Sequence, residues 1–111
     1  MPFVLAVLMS LVQKPAVIPP PDQKMVWMTA LHECENPHNI PKILDSNNRY
    51  SYGRYEWQMR SWLNYKAQGA TKNNILNDAM QDKITRYVLD NGGERNWKIC
   101  SKKVETKLGT Y

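Results

Sequence analysis

Asp22-Gln23-Lys24-Met25-Val26-Trp27-Met28-Thr29-Ala30-Leu31-His32-Glu33-Cys34-Glu35-Asn36-Pro37 is the stretch that decides the architecture. Trp27, Ala30, Leu31 and Cys34 stand at i, i+3, i+4 and i+7, the spacing that lines one face of an α-helix. Asp22 supplies an oxygen for the free N–H groups of the first turn. Pro37 drives Asn36 out of the helical region, so the helix is expected to end near Glu35.

Toward the N-terminus, Pro15 and the run Pro19-Pro20-Pro21 read as an extended linker, which places the domain start at Asp22. Pro2 to Val12 is apolar apart from Ser10. A run of about ten apolar residues fits a secretory signal better than a spanning helix, although no Lys or Arg precedes it. The other reading is a buried strand or short helix of the domain. Residues 1–21 are therefore an apolar segment, a possible signal peptide or anchor, followed by a Pro-rich linker.

Toward the C-terminus, residues 36–53 are rich in Asn, Ser, Pro and Asp and read as loop with room for one small hairpin. A second helix is expected over Gln58 to Ala67, burying Trp62 and Tyr65 and stopping at Gly69. A third starts at Asp78, where Asp78 and Gln81 form a variant capping box. Ala79, Met80, Ile84, Tyr87 and Val88 make its apolar stripe, and Gly92-Gly93 ends it. Trp97 and Cys100 close the domain, 22–100. Residues 101–111 are rich in lysine, show no stripe and read as a solvated basic tail. The fold class is mainly α, a small helical domain with an irregular insert.

The chain has 111 residues, a net charge of +5, 42% hydrophobic and 23% charged residues. That is one domain and not a disordered chain. The absence of an apolar run of roughly 18 residues excludes a multi-pass membrane protein. No repeat period and no glycine-rich phosphate loop is present, which excludes a solenoid and a dinucleotide-binding fold. The basic balance favours an anionic partner: nucleic acid, acidic membrane or anionic wall polymer.

Cys34 and Cys100 are the two cysteines, at opposite ends of the helical region. In an exported chain their pairing is the natural reading, and loop closure would stabilise so small a core by roughly 4 kcal/mol. In a reducing compartment they are two unrelated buried thiols.

The segment His32 to His38 is dense in functional groups. A zinc helix needs a second His four residues after the first, and position 36 is Asn. His32, Cys34 and His38 lack further ligands, so no metal is expected. Glu35 is the stronger candidate. It stands at the C-terminal end of a partly buried helix, where the dipole and apolar neighbours both disfavour ionisation. Those conditions suit a carboxylic acid that holds its proton near neutral pH and hands it to a leaving oxygen. The plain reading is that Glu33 and Glu35 are surface charges. Asp45, Asn47, Ser51 and Glu56 match four positions of a calcium loop, but Arg49 and Tyr50 occupy the positions that need a ligand and a glycine, so calcium is rejected.

A second segment, Ser51-Tyr52-Gly53-Arg54-Tyr55-Glu56-Trp57-Gln58-Met59-Arg60-Ser61-Trp62, joins the first in a resemblance. Cys34-Glu35 resembles the Cys-Glu-Ser opening of the resuscitation-promoting-factor and lytic-transglycosylase-like branch of the lysozyme superfamily. Tyr52-Gly53 through Ser61-Trp62 resembles that family's Tyr-Gly-x-x-Gln-Phe stretch ending in Thr-Trp. Asp78, Gln81, Gly92-Gly93, Trp97 and Cys100 are similar to its closing pattern. The match covers Val26 to Cys100.

The resemblance implies an α+β lysozyme-like domain with the last Cys paired to the one beside the catalytic Glu. It implies cleavage of the β-1,4 bond between N-acetylmuramic acid and N-acetylglucosamine, with Glu35 as general acid. Water attacks next in lysozymes; in transglycosylases the sugar's own 6-hydroxyl does, leaving an anhydro product. The sequence departs from the family at Asn36, where it has Ser, at Glu56, where it has Gln, and at Arg54 and Tyr55. Glu56 is either a Gln-like substrate contact or a second carboxylate of the catalytic pair that tunes the reaction, with Asp45 a weaker candidate for that role. Tyr52, Gly53, Tyr55 and Trp57 are the expected substrate-binding residues, and Tyr50 also suits packing on a pyranose ring. Trp62, on a helix stripe, is expected in the core.

No cofactor is expected. The expected partners are peptidoglycan glycan strands, without nucleic acid or a stable membrane span, and the chain is expected to be a monomer. It would be secreted or held at the cell envelope, from a bacterium or a phage. Two other classes stay open. One is a catalytically inert wall-binding module whose cleft Glu56 or Arg54 blocks. The other is a basic nucleic-acid-binding domain using Arg49, Arg54, Arg60 and the aromatics between them, although no recognisable binding motif is present.

Overall fold

A computed structural model describes residues 22–110. The N-terminal segment and linker expected over 1–21 lie outside the described residues. The first helix, α1 (Gln23–Glu35), opens with the Asp22 side chain accepting a hydrogen bond from Lys24 N at 2.9 Å. It ends at Asn36, as the following proline requires. Trp27, Met28 and Leu31 are buried, with Ala30 and Cys34 packed against the same core.

The insert is richer than one hairpin. Strands β1 (Lys42–Leu44), β2 (Tyr50–Tyr52) and β3 (Trp57–Gln58) form an antiparallel sheet in the order β1-β2-β3. Ile43 lies opposite Ser51, and Ser51 opposite Gln58. Strands of two or three residues are too short to display an alternating pattern, so they read as loop in sequence.

The second helix differs from expectation at both ends. Gln58 belongs to β3; α2 spans only Met59–Trp62, and the chain then tightens into a 3-10 helix over Leu63–Gln68. Tyr65 interrupts that turn with non-helical angles, and Gly69, at φ 101°, stops it. Trp62 is fully buried; Tyr65 is half-buried against the core.

The third helix, α3 (Asp78–Asp90), follows a short 3-10 turn at Lys72–Asn74. Its cap is Asn77, whose side chain accepts from Met80 N at 2.9 Å. The expected Asp78/Gln81 capping box is absent, because Gln81 turns inward and is fully buried. The stripe that packs is Gln81, Ile84, Thr85, Val88 and Leu89, while Ala79 and Tyr87 are exposed.

After a 3-10 turn at Glu94–Trp97, a fourth helix, α4, runs over Lys98–Leu108. The expected solvated tail over 101–111 is therefore corrected. Cys100, Ser101 and Val104 are buried, Leu108 packs on the core, and the Trp27 indole N–H donates to Gly109 O at 3.0 Å. The apolar stripe is one residue wide per turn, and the lysines around it obscure it. Cys34 and Cys100 are bridged, with Cα atoms 5.7 Å apart, which ties the end of α1 to the start of α4. The fold is thus mostly helical, with a small three-stranded sheet and one disulfide.

Trp57 sits at the centre of the core, edge-on to Trp62, Tyr65 and Trp97 at centroid distances of 5.4 to 5.5 Å.

Candidate active site

A polar cavity of about 260 Å³ lies where the end of α1, the sheet and the turn before α4 meet. Three carboxylates face it: Glu35, Asp45 and Glu56. Trp57 and Trp97 supply its aromatic surface. Their ring N–H groups are used elsewhere, Trp57 donating to Thr85 Oγ1 at 2.9 Å and Trp97 to Tyr55 O at 2.8 Å. Both indoles are therefore fixed in orientation.

Glu35 is the last residue of α1, and a carboxylate oxygen lies within 4.8 Å of both sulfurs of the Cys34–Cys100 bridge. The bridge anchors this helix end against α4. The Glu35 carboxyl is pushed up to about 7, first by burial, then by the charges of Glu56 and Asp45. Glu56 is also pushed up, by burial first and then by Asp45. A carboxyl poised near neutrality in a cavity shared with two others is suited to proton transfer.

Glu56 occupies the left-handed region at φ 51°, where a side chain other than glycine is strained. The turn that puts it there begins at Gly53, φ 73°, and Glu56 N donates to Gly53 O at 3.1 Å. A Cβ at Gly53 would overlap the Gln81 side chain, so glycine is required twice over. Gln81 clamps the turn from below. Its amide donates to Tyr52 O and Ile75 O at 2.8 and 2.6 Å and accepts from Tyr55 N at 3.1 Å.

Asn36 clamps the turn from the other side. It is 2% exposed, donates to Ile40 O and Gly53 O at 2.8 Å each, and accepts from Ile40 N at 2.9 Å. The Asn36 amide thus ties both loops together. Asp45 is fixed in turn by Ser51 Oγ–H and by Gln58 Nε2 at 3.1 Å.

Among the expected substrate-binding residues, only Trp57 lines this cavity, and it does so while 4% exposed. Tyr55 is 3% exposed and its hydroxyl donates to Asp82 at 2.8 Å, so it is a core residue and not a sugar platform. Gly53 shapes the turn without lining the cavity, and Tyr52 lies on a different depression with Arg49, Tyr50 and Arg60. Arg54 does not block the cleft: it pairs with Asp78 and Asp82 at 3.1 and 3.2 Å, away from the carboxylates. It is thereby also removed from any basic patch with Arg49 and Arg60.

Sequence reading missed Ser51, Gln58, Ser61 and Asn96 as lining residues and took Trp97 only as part of the pattern that closes the domain. These are neutral polar side chains, and although Ser51, Gln58 and Ser61 lie in the quoted Ser51–Trp62 segment, nothing in their chemistry marks them as lining residues. Ser51 faces away from Tyr50 and Tyr52 on β2, but a strand of three residues is too short for that alternation to be read from sequence.

The closest grouping of potential metal ligands among the described residues is Cys34, Glu35 and Cys100. Both sulfurs are spent in the bridge, so this set offers no thiolate. His32 Nε2 is engaged with Asn39 Oδ1 at 2.7 Å. No helix among the described residues is long and apolar enough to cross a membrane. No family model, curated protein or solved structure matches the chain.

Proposed function

We propose that this chain is a lysozyme-like enzyme that cleaves the β-1,4 bond between N-acetylmuramic acid and N-acetylglucosamine in peptidoglycan, with Glu35 as the general acid. The observation that carries the reading is the Glu35 carboxyl, poised near pH 7 in a polar, aromatic-walled cavity that it shares with Glu56 and Asp45. The resemblance of Cys34-Glu35 and Tyr52 to Trp62 to the transglycosylase-like branch points the same way.

In this reading Glu35 gives its proton to the glycosidic oxygen as the bond from that oxygen to the sugar's anomeric carbon breaks. Positive charge develops on the sugar ring. Asp45, oriented by Ser51 and Gln58, is the carboxylate best fixed to steady that charge, and Glu56 tunes the pair. Water or the sugar's own 6-hydroxyl then adds to the anomeric carbon, and its proton returns to a cavity carboxylate. Comparing the clearing of a wall suspension by the parent and by Glu35→Gln tests this: the parent clears it and the variant is slower by at least about a hundredfold. Equal rates would reject Glu35 as the acid.

A second reading is an inert wall-binding module. Glu56 favours it, since a carboxylate stands in the cavity where the resembled family carries a neutral Gln. Near-zero clearing by both proteins, with the parent still sedimenting with wall, would select it.

A further inference from the structure

The sheet has a second face. Alternation along β2 sends Ser51 toward the cavity and Tyr50 and Tyr52 to the other side. There the two tyrosines, with Arg49 and Arg60, line a separate depression of about 320 Å³. Tyr50 is 43% exposed. The Lys42 ammonium sits 4.1 Å from the Tyr50 ring centre, which covers one face of that ring and brings a third cation to the patch. Neither Arg49 nor Arg60 is in an ion pair among the described residues, in contrast to Arg54.

Gln58 lines both depressions. The cavity and the tyrosine depression therefore adjoin at one residue, whose side chain holds Asp45. A linear ligand leaving the cavity past Gln58 passes from an acidic surface onto a basic, aromatic one.

We infer that Tyr50, Tyr52, Arg49 and Arg60 form an accessory subsite for an anionic section of the glycan strand, the tyrosines facing a pyranose ring and the arginines a carboxylate of the attached peptide. This rests on the proposed function for the identity of the strand. An aromatic face matches the apolar C–H side of a sugar ring, and a guanidinium fork matches a carboxylate. The same pairing of arginines and aromatics suits single-stranded nucleic acid. The adjoining cavity with its three carboxylates decides for the glycan, since a strand of phosphates would be repelled there.

Binding is measured on the Glu35→Gln background, so that no substrate is consumed. The probes are a wall glycan oligomer carrying its peptides, the same oligomer with peptides removed, an uncharged N-acetylglucosamine oligomer, and single-stranded DNA. Arg49→Glu with Arg60→Glu is expected to weaken the peptide-bearing oligomer by at least about tenfold, to weaken the uncharged oligomer by less than about twofold, and to make binding less salt-sensitive. Lys102→Glu with Lys103→Glu changes net charge equally on α4, where both lysines are exposed, and is expected to change binding by less than about twofold. Tyr50→Ala is expected to weaken all the glycan probes.

Equal weakening by the two double variants, equal weakening of charged and uncharged oligomers, or tighter binding of DNA than of glycan would overturn the subsite. Arginine-dependent binding by a protein whose parent clears no wall would sink the enzymatic reading and leave the subsite standing. Wall clearance without arginine-dependent binding would do the reverse.

Discussion

A carboxyl held near pH 7 acts as an acid only while it keeps its proton, so the activity of the parent is expected to fall as pH rises through about 7. Asp45→Asn and Glu56→Gln each remove a negative charge that raises the Glu35 carboxyl. Each is expected to move that alkaline limb to lower pH, readable in rate profiles of wall clearing. Glu56→Gln is expected to keep at least about a tenth of parental activity, because tuning an acid costs less than removing it. Stability carries the same sign. The folded state holds a proton on Glu35 that the unfolded state has released between 4.5 and about 7, so the native protein loses stability as pH rises through that window. Glu35→Gln removes this loss, and its melting temperature is expected to exceed the parent's by more at pH 8 than at pH 4. Equal differences at both pH values would show that Glu35 is not buried in the way described.

At the scale of the elements, the cavity depends on two amides that hold the Gly53–Glu56 turn. Asn36→Ala removes three hydrogen bonds at a buried site, and Gln81→Leu leaves Tyr52 O, Ile75 O and Tyr55 N without partners. Each is expected to cost about 2–4 kcal/mol in urea unfolding. The conservative Asn36→Ser is expected to lose less. Neither role was legible in sequence. Asn36 reads as the residue that ends a helix before Pro37, and Gln81 as part of a cap, because both positions sit next to strong local signals. The bonds that hold the turn go to distant partners, Gly53 for Asn36 and Tyr52 and Tyr55 for Gln81. The ends of α1 were legible because a cap and a proline are local devices; α4 was not, because its buried positions, Cys100, Ser101 and Val104, include a serine and stand among lysines. Val104→Asp is expected to destabilise by about 3 kcal/mol or more, which a solvated tail would not show.

For the molecule as a whole, the bridge spans 66 residues and joins the two helices that are nearest the chain ends of the domain. Its removal in Cys34→Ser with Cys100→Ser is expected to cost about 2–4 kcal/mol and to lower the melting temperature by roughly 8–30 °C. Activity below the melting point is expected to fall as well, because the sulfurs border the Glu35 carboxylate. The pairing of these cysteines was legible from their placement at both domain ends. The cavity was half legible: Glu35 and Glu56 stand out by chemistry, while its polar walls come from a sheet too short to be read. Mass spectrometry of purified wall after digestion is the most direct check. If Glu35 is the proton donor, the parent releases disaccharide-peptide fragments with reducing or anhydro ends and Glu35→Gln, folded to the same degree, releases them at least about a hundredfold more slowly. Release of the same fragments at the same rate by both proteins, or by neither, contradicts that assignment.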